Sequence, residues 1–397
     1  MKAQYLTPSL FLAISMALLA IACQNDTKAH VPYVAPSSSI TQNPPPLPTE
    51  DRHPSKKIKL ALILDTSNSM DGLIDQAKSQ LWSMVNKLAD AKCDNLRPSI
   101  EIALYEYGND NLNAREGFIR MVTPLTEDLD KLSEDLFSLS TKGGSEHCGQ
   151  VIATSLDQLK WSESSEDLQV IFIAGNEPFT QGPISYQNAC KRAKQNKVVV
   201  NTIFCGNFQE GINSSWKSGA LMTGGEYMSI NQNSKTVYIP SPYDDKISAL
   251  NDRLNDTYIQ YGVSGNQMKS NQLRQDANAS SYSLQNKVSR TISKSKHIYK
   301  NESWDLVDAS ENRSFNIADI EEEELNDEMK DMNLTERKKY VEEKAEERKN
   351  IQSEINQLAV KRSEYVANQQ NKKSEGMLNN ALLSAIVKQA EAKKFEF

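Results

Sequence analysis

Ile58-Lys59-Leu60-Ala61-Leu62-Ile63-Leu64-Asp65-Thr66-Ser67-Asn68-Ser69 is the stretch on which the reading of this chain turns. Its first seven residues are apolar enough towards the end to form a strand buried on both faces. The run then stops on a carboxylate followed by hydroxyls. Met70 to Asp90 continues with helical spacing, so that Leu73, Ala77, Leu81, Met84, Val85 and Leu88 fall on one stripe. Further along, Ser99–Tyr107, Phe118–Val122, Leu168–Ala174, Val198–Phe204 and Glu226–Ile230 read as strands. Helices are expected at 129–139, 151–159, 186–195, 215–221 and 244–261. Strands alternating with helices predict an α/β fold with a doubly wound, mostly parallel, Rossmann-like sheet. The short connection before Phe118 predicts that this strand runs antiparallel at an edge. Ligands of such sheets sit at the carboxyl ends of the strands, where the strand order reverses.

Asp65, Ser67 and Ser69 lie at that position. Alternate residues of an extended loop point the same way, so the three side chains can converge. One carboxylate and two hydroxyls are hard oxygen ligands, suited to Mg²⁺ rather than Zn²⁺. A fourth oxygen is available from Ser145 in Gly143-Gly144-Ser145-Glu146-His147-Cys148-Gly149, just before a helix. The alternative is local: Asp65 and Ser69 cap the following helix and no ion is involved.

With its preceding strand and following helix, the Asp-x-Ser-x-Ser pattern resembles the metal-ion-dependent adhesion site of the von Willebrand factor A domain, over residues 58–262. The resemblance implies that Asp65, Ser67 and Ser69 are first-loop ligands and that Ser145 replaces the usual Thr of the second loop. It also implies a divalent cation, Mg²⁺ favoured over Mn²⁺ or Ca²⁺. In the third loop, Phe172-Ile173-Ala174-Gly175-Asn176-Glu177-Pro178, Gly175 stands where the family places Asp. Glu177 is the candidate to reach back or to hold a metal-bound water.

Cys93, Cys148, Cys190 and Cys205 follow an N-terminal Cys23. In an oxidising compartment four cysteines suggest disulfides. Cys93 should lie at the far end of the sheet, so a bridge from Cys148 to Cys205, or to Cys190, is expected. Four buried free thiols are the alternative. Cys148 adjoins His147, but neighbours at a helix start point apart, and no third group is evident to orient a nucleophile. Four histidines without a His-x-x-x-His spacing argue against zinc hydrolysis.

Leu10 to Ala22 is a short apolar run ending at Cys23, matching a signal-peptide hydrophobic region. Leu19-Ala20-Ile21-Ala22-Cys23 resembles a bacterial lipobox, which implies lipidation at Cys23. An uncleaved N-terminal anchor is the alternative. Residues 24–57 hold seven of the 14 prolines and read as a semi-extended tether. The expected location is therefore the cell envelope, outside the cytoplasm and tied to a membrane.

The 397 residues carry 45 basic and 52 acidic side chains, and the net charge of −7 argues against nucleic-acid binding. Residues 263–318 are rich in Ser, Asn, Gln and Lys and are expected as a polar, partly ordered linker, with a helix at 271–278. Residues 319–397 read as a charged helical region. Glu321–Glu324 is expected as a solvated face. From Thr335 to about Gln370, Val341, Ala345, Arg348, Ile351, Ile355, Leu358, Arg362 and Tyr365 make one narrow stripe on a rod of about 50 Å. So thin a seam calls for a helix of this chain, a second copy or another protein as cover. A solvated single helix is the alternative.

The function these readings imply is binding, not catalysis: a membrane-tethered, extracytoplasmic module in which a cation at the A-like site accepts an acidic side chain of a protein partner. Two alternatives are a cell-envelope scaffold with a metal-free A domain and an assembling tail, and an enzyme of unassigned reaction.

Overall fold

Ile58 and Leu60–Leu64 fill the buried stretch of the opening strand with apolar side chains, and alternate residues serve opposite layers. A computed structural model describes residues 56–234, 238–369 and 378–397. In it β1 (Lys57–Asp65) lies between β2 (Ser99–Tyr107) and β4 (Leu168–Gly175), parallel to both. The sheet continues through β5 (Val199–Cys205) to β6 (Tyr227–Ile230) and ends on the other side at β3 (Ile119–Thr126). The order is β3-β2-β1-β4-β5-β6, and only β3 runs antiparallel. The order reverses between β1 and β4, which makes the carboxyl end of β1 the topological switch point.

Pleating divides the core. Ile58, Leu60, Leu62 and Leu64 face one layer, and Ala61 and Ile63 face the other. The second layer holds α3 (Cys148–Gln158), α4 (Tyr186–Gln195) and α6 (Trp216–Thr223), with the short α5 (Phe208–Asn213) beside them. The first layer holds α1 (Asp71–Leu88), α2 (Leu129–Ser138) and α7 (Asp244–Asn255). Each fully buried Leu or Ile contributes roughly 1.5–3 kcal/mol.

The first layer does not end at residue 262. Residues 263–318, expected as a partly ordered linker, form α8 (Gly265–Tyr282), α9 (Leu284–Lys294) and α10 (Leu306–Ser310). After a one-turn α11 (Asp327–Lys330) come the long α12 (Leu334–Gln369) and α13 (Leu378–Glu391). Ile351, Ile355, Leu378, Leu382 and Ile386 belong to the same buried cluster as Leu60 and Leu81. All described residues form one compact unit. The polar composition hides this because much of what α9 buries is polar. Asn286, Ser289, Arg290, Thr291, Ser293 and Lys294 are all buried, and distant parts of the chain partner several of them: the Lys78 carbonyl meets the Asn286 amide, Asp130 meets Arg290, Asn86 meets Ser293 and Asn251 meets Lys294. The stripe on α12 is covered by α7, α9 and α10 of this chain, which accounts for it without a second copy. Its arginines are part of the seam: Arg348 pairs with Asp305 and Asp308, and Arg362 with Asp244. Glu321, Glu322 and Glu323 are exposed, as a solvated face requires.

Cys93, Cys148, Cys190 and Cys205 are free and buried, so the expected Cys148–Cys205 bridge, and the one to Cys190, are not formed. Strand parity gives the reason for the first: Cys205 follows Ile203 onto the α1 side of the sheet, whereas Cys148 lies in the opposite layer. Cys23, the expected signal sequence and the expected proline tether up to residue 55 lie outside the described residues. Among the described residues no helix is long and apolar enough to cross a membrane.

Candidate functional site

β1 delivers Asp65 to the switch point completely buried. The following loop is pinned at both ends. The Thr66 N–H donates to the Tyr107 carbonyl (2.9 Å), and its hydroxyl donates to Glu106 Oε2 (3.1 Å). The Ser67 N–H donates to Asp65 Oδ1 (2.8 Å), a local turn that fixes the carboxylate. The Ser67 and Ser69 hydroxyls lie 3.3 Å apart, so alternate residues do converge.

Two further loops close on this one. The Asn68 N–H donates to the Gly143 carbonyl (3.0 Å) and the Lys142 N–H to the Thr66 carbonyl (2.9 Å). Ser145 bridges to Gly108 at the end of β2, its N–H 3.4 Å from the Gly108 carbonyl. On the β4 side, Asn176 Nδ2 donates to the Ser69 hydroxyl (3.1 Å). Glu177 stands half-buried nearby and accepts from Gln181 Nε2 (3.1 Å). All five expected site residues therefore come from the three loops that meet at this edge.

The electrostatics single out Asp65. Its Oδ2 is buried without a hydrogen-bond partner. Burial, with added repulsion from Glu146 and Glu177, pushes its carboxyl up to about 7, against the pull of the Ser67 N–H and hydroxyl. Glu146 is also raised, by burial first and then by the charges of Glu177 and Asp110. The charged neighbours that act most on Asp65 and Glu146 are acids, which makes this edge negative. The donor set of carboxylate and hydroxyl oxygens fits a hard divalent ion. Among the described residues no three His, Cys, Asp or Glu side chains gather closely enough to hold a metal by themselves. An ion here would rest on Asp65 together with the serines.

Residues 59–217 match the von Willebrand factor type A domain. No curated protein sequence matches the chain. Among solved structures it is similar to the conserved hypothetical protein BatB from Bacteroides thetaiotaomicron, at 14% identity and a TM-score of 0.34, covering 44% of this chain and 90% of that one. It is also similar to proximal thread matrix protein 1 from the mussel byssus, with a zinc-occupied MIDAS motif, at 10% identity and a TM-score of 0.33, covering 44% of this chain and 42% of that one. The SpRpn10 VWA domain is similar at 18% identity and a TM-score of 0.31, covering 45% of this chain and 90% of that domain.

The chain departs from the expected third loop for a steric reason. A Cβ on Gly175 would lie 2.4 Å from the Tyr107 hydroxyl oxygen and 3.0 Å from Asp65 Oδ2. Tyr107 is fully buried, donates to the Ala174 carbonyl (3.2 Å) and accepts from the Cys148 thiol (3.7 Å). A phenol thus fills the space beside Gly175, and no side chain at 175 fits beside it. The Cys148 thiol, pushed far up chiefly by burial, faces Tyr107 and makes no pair with His147.

Sequence reasoning passed over Tyr107 and Glu146. Tyr107 looked like the last apolar residue of a strand. Glu146 was overshadowed by its neighbour Ser145, although both follow the same glycine pair. A signal was present: a carboxylate just before a helix at the switch-point edge, in a loop otherwise short of charge.

Proposed function

We propose that the A domain is a cation-dependent protein-binding module rather than an enzyme, and that Cys23 and the proline tether hold it to a membrane on the extracytoplasmic side. Asp65, Ser67, Ser69 and Ser145 hold the divalent cation, Mg²⁺ favoured, with Glu177 at the rim. When bound, the cation supplies an open coordination position for an acidic side chain of the partner. The single observation that carries this reading is the buried, unpartnered Oδ2 of Asp65 at the switch point. A buried ionised carboxylate costs several kcal/mol unless a cation or hydrogen bonds offset it.

The residues also supply a reason for cation dependence. Burial raises Asp65 and Glu146 most, and the neighbouring acids, Glu177 among them, add repulsion at both. A partner carboxylate meets the same repulsion until positive charge is present. Ser67 and Ser69 offer neutral oxygens that can turn towards an ion at little cost. Mg²⁺ keeps several of its waters and so tolerates a site with few protein carboxylates.

The test is calorimetric titration of Mg²⁺ into wild type and Asp65→Ala. The wild type should give a saturable heat that the variant loses while its thermal melting stays cooperative. Equal heats from both proteins, or none from either up to millimolar metal, would sink the reading.

A further inference from the structure

α13 lies far beyond residues 59–217, the stretch that matches the A domain, yet hydrogen bonds link its first residue to the loop that carries Ser69. It packs along α1 and beside β4, β5 and β6. Gln389 and the fully buried Asn201 exchange amide hydrogen bonds (2.6 and 3.1 Å), and Lys388 pairs with Glu226. At the start of the helix, where backbone N–H groups have no partner within the helix, the Leu378 N–H donates to Gln76 Oε1 (3.0 Å). Gln76 is only 3% exposed, and the other end of its amide serves a different loop. Its Nε2 lies 2.8, 2.9 and 3.2 Å from the carbonyls of Asn231, Gln232 and Ser234, to which it donates. Gln232 in turn donates from its own Nε2 to the Ser69 carbonyl (2.9 Å). Gly72 lets this loop settle on the first turn of α1: a Cβ there would lie 2.4 Å from the Gln232 carbonyl oxygen. One amide thus ties α13 to the loop after β6, and a second ties that loop to the backbone of a site residue.

We infer that α13 positions the cation site through Gln76 and Gln232, so that the tail of the chain helps to hold the site in shape. A buried amide is satisfied at both ends only when α13 is seated and residues 231–234 are in place, and leaving either end unpaired is costly. The two placements therefore support each other. Ser69 is exposed, and its carbonyl bond to Gln232, with the Asn176 bond to its hydroxyl, keeps that hydroxyl 3.3 Å from Ser67. Gln76 and Gln232 are positioning residues. The effect on metal rests on the proposed cation site, whereas the link between α13 and the Ser69 loop does not.

Gln76→Met removes both ends of the buried amide, and Gln232→Leu removes only the last link. Loss of an outer orienting partner weakens metal binding by about 10-fold or more. In Mg²⁺ calorimetry on the whole chain, both variants should bind about 10-fold more weakly than wild type. Hydrogen exchange supplies a readout that a merely local role would not move. Without metal, Gln76→Met should speed exchange at residues 67–72 as well as at 378–386. Coupling is reciprocal, so saturating Mg²⁺ should slow wild-type exchange at 378–386 more than at 306–310, which the link does not touch. Wild-type affinity in both variants, or equal slowing of the two segments by Mg²⁺, would overturn the inference. Unchanged exchange at 67–72 in Gln76→Met would overturn it whether or not an ion binds. Absence of any wild-type heat would overturn the cation site, and with it the role given to α13, even if exchange shows the link to be real.

Discussion

Asp65 and Asp276 are both carboxylates largely withdrawn from water, yet their surroundings drive them in opposite directions. At Asp65 burial wins: the nearest charges are acidic, one oxygen has no partner, and the group sits at about 7. At Asp276 burial also acts upward, but Lys294 and Arg290 outweigh it, helped by the Asn251 and Asn255 amides, and hold the carboxyl well below its usual range. The α8–α9 region thus closes its charges within the chain. Arg290 reaches Asp276, Asp130 and the Gln272 carbonyl, and stacks 4.7 Å from the Trp82 ring centroid. Lys294 adds Asn251 and Asp276. The strand edge leaves its charges open. One arrangement is complete as it stands, whereas the other needs a positive charge from outside. A buried acid is therefore informative only together with what faces it.

The sharpest way to break this contrast is to open the closed network. Arg290→Ala leaves Asp130 and Asp276 buried without their shared cation, which typically costs about 3–5 kcal/mol. Chemical denaturation should show a loss of that size. Magnesium affinity at the strand edge should stay unchanged in whatever fraction remains folded. A loss below about 1 kcal/mol would mean that water already screens the network and that the two regions are alike.

A smaller effect is expected at the open site. Gly175→Ala brings a methyl group to within 2.4 Å of the hydroxyl at the tip of the fully buried Tyr107 side chain. Overpacking of this kind costs about 1–3 kcal/mol. Tyr107→Phe in the same chain should recover part of it, since the offending oxygen is gone. If Gly175→Ala melts like wild type, the phenol is mobile, and the third loop has room for a carboxylate after all.

The two regions also differ in how far the sequence discloses them. Leu60–Leu64 and Val170–Ala174 are apolar on both faces, so they could only be central strands, and the loop after β1 had to carry the chemistry. Register parity even held the answer on the cysteines, because Cys205 shares its face with Ile203. The α8–α9 region was opaque. Asn286, Ser289, Arg290 and Lys294 read as solvated residues, and their burial depends on Asp130, Asn86 and Asn251, each dozens of residues away or more. Polar burial is a property of pairs, and a single stretch of sequence displays only one member. The stripe on α12 was legible as a stripe, but what covers it was not.

The smallest expected effect is a pH slope that belongs to Asp65 alone. Its folded pKa of about 7 lies above the ordinary value of 3.8, so the folded protein keeps this proton where the unfolded chain has released it. The contribution to stability is full below about pH 4 and is lost as pH rises towards 7. Between about pH 5.5 and 6.5 the loss amounts to about 1 kcal/mol. Asp308, raised to about 6 chiefly by burial with Asp305 adding, tilts the wild-type curve in the same direction, so the comparison must be with Asp65→Asn. That variant, denatured without metal across the same pH range, should show a shallower fall than wild type. Saturating Mg²⁺ should flatten the wild-type curve as well, because an ion that binds the ionised carboxylate removes the advantage of keeping the proton. Parallel curves for wild type and Asp65→Asn would show that Asp65 is ionised throughout and already balanced, which would dissolve its contrast with Asp276.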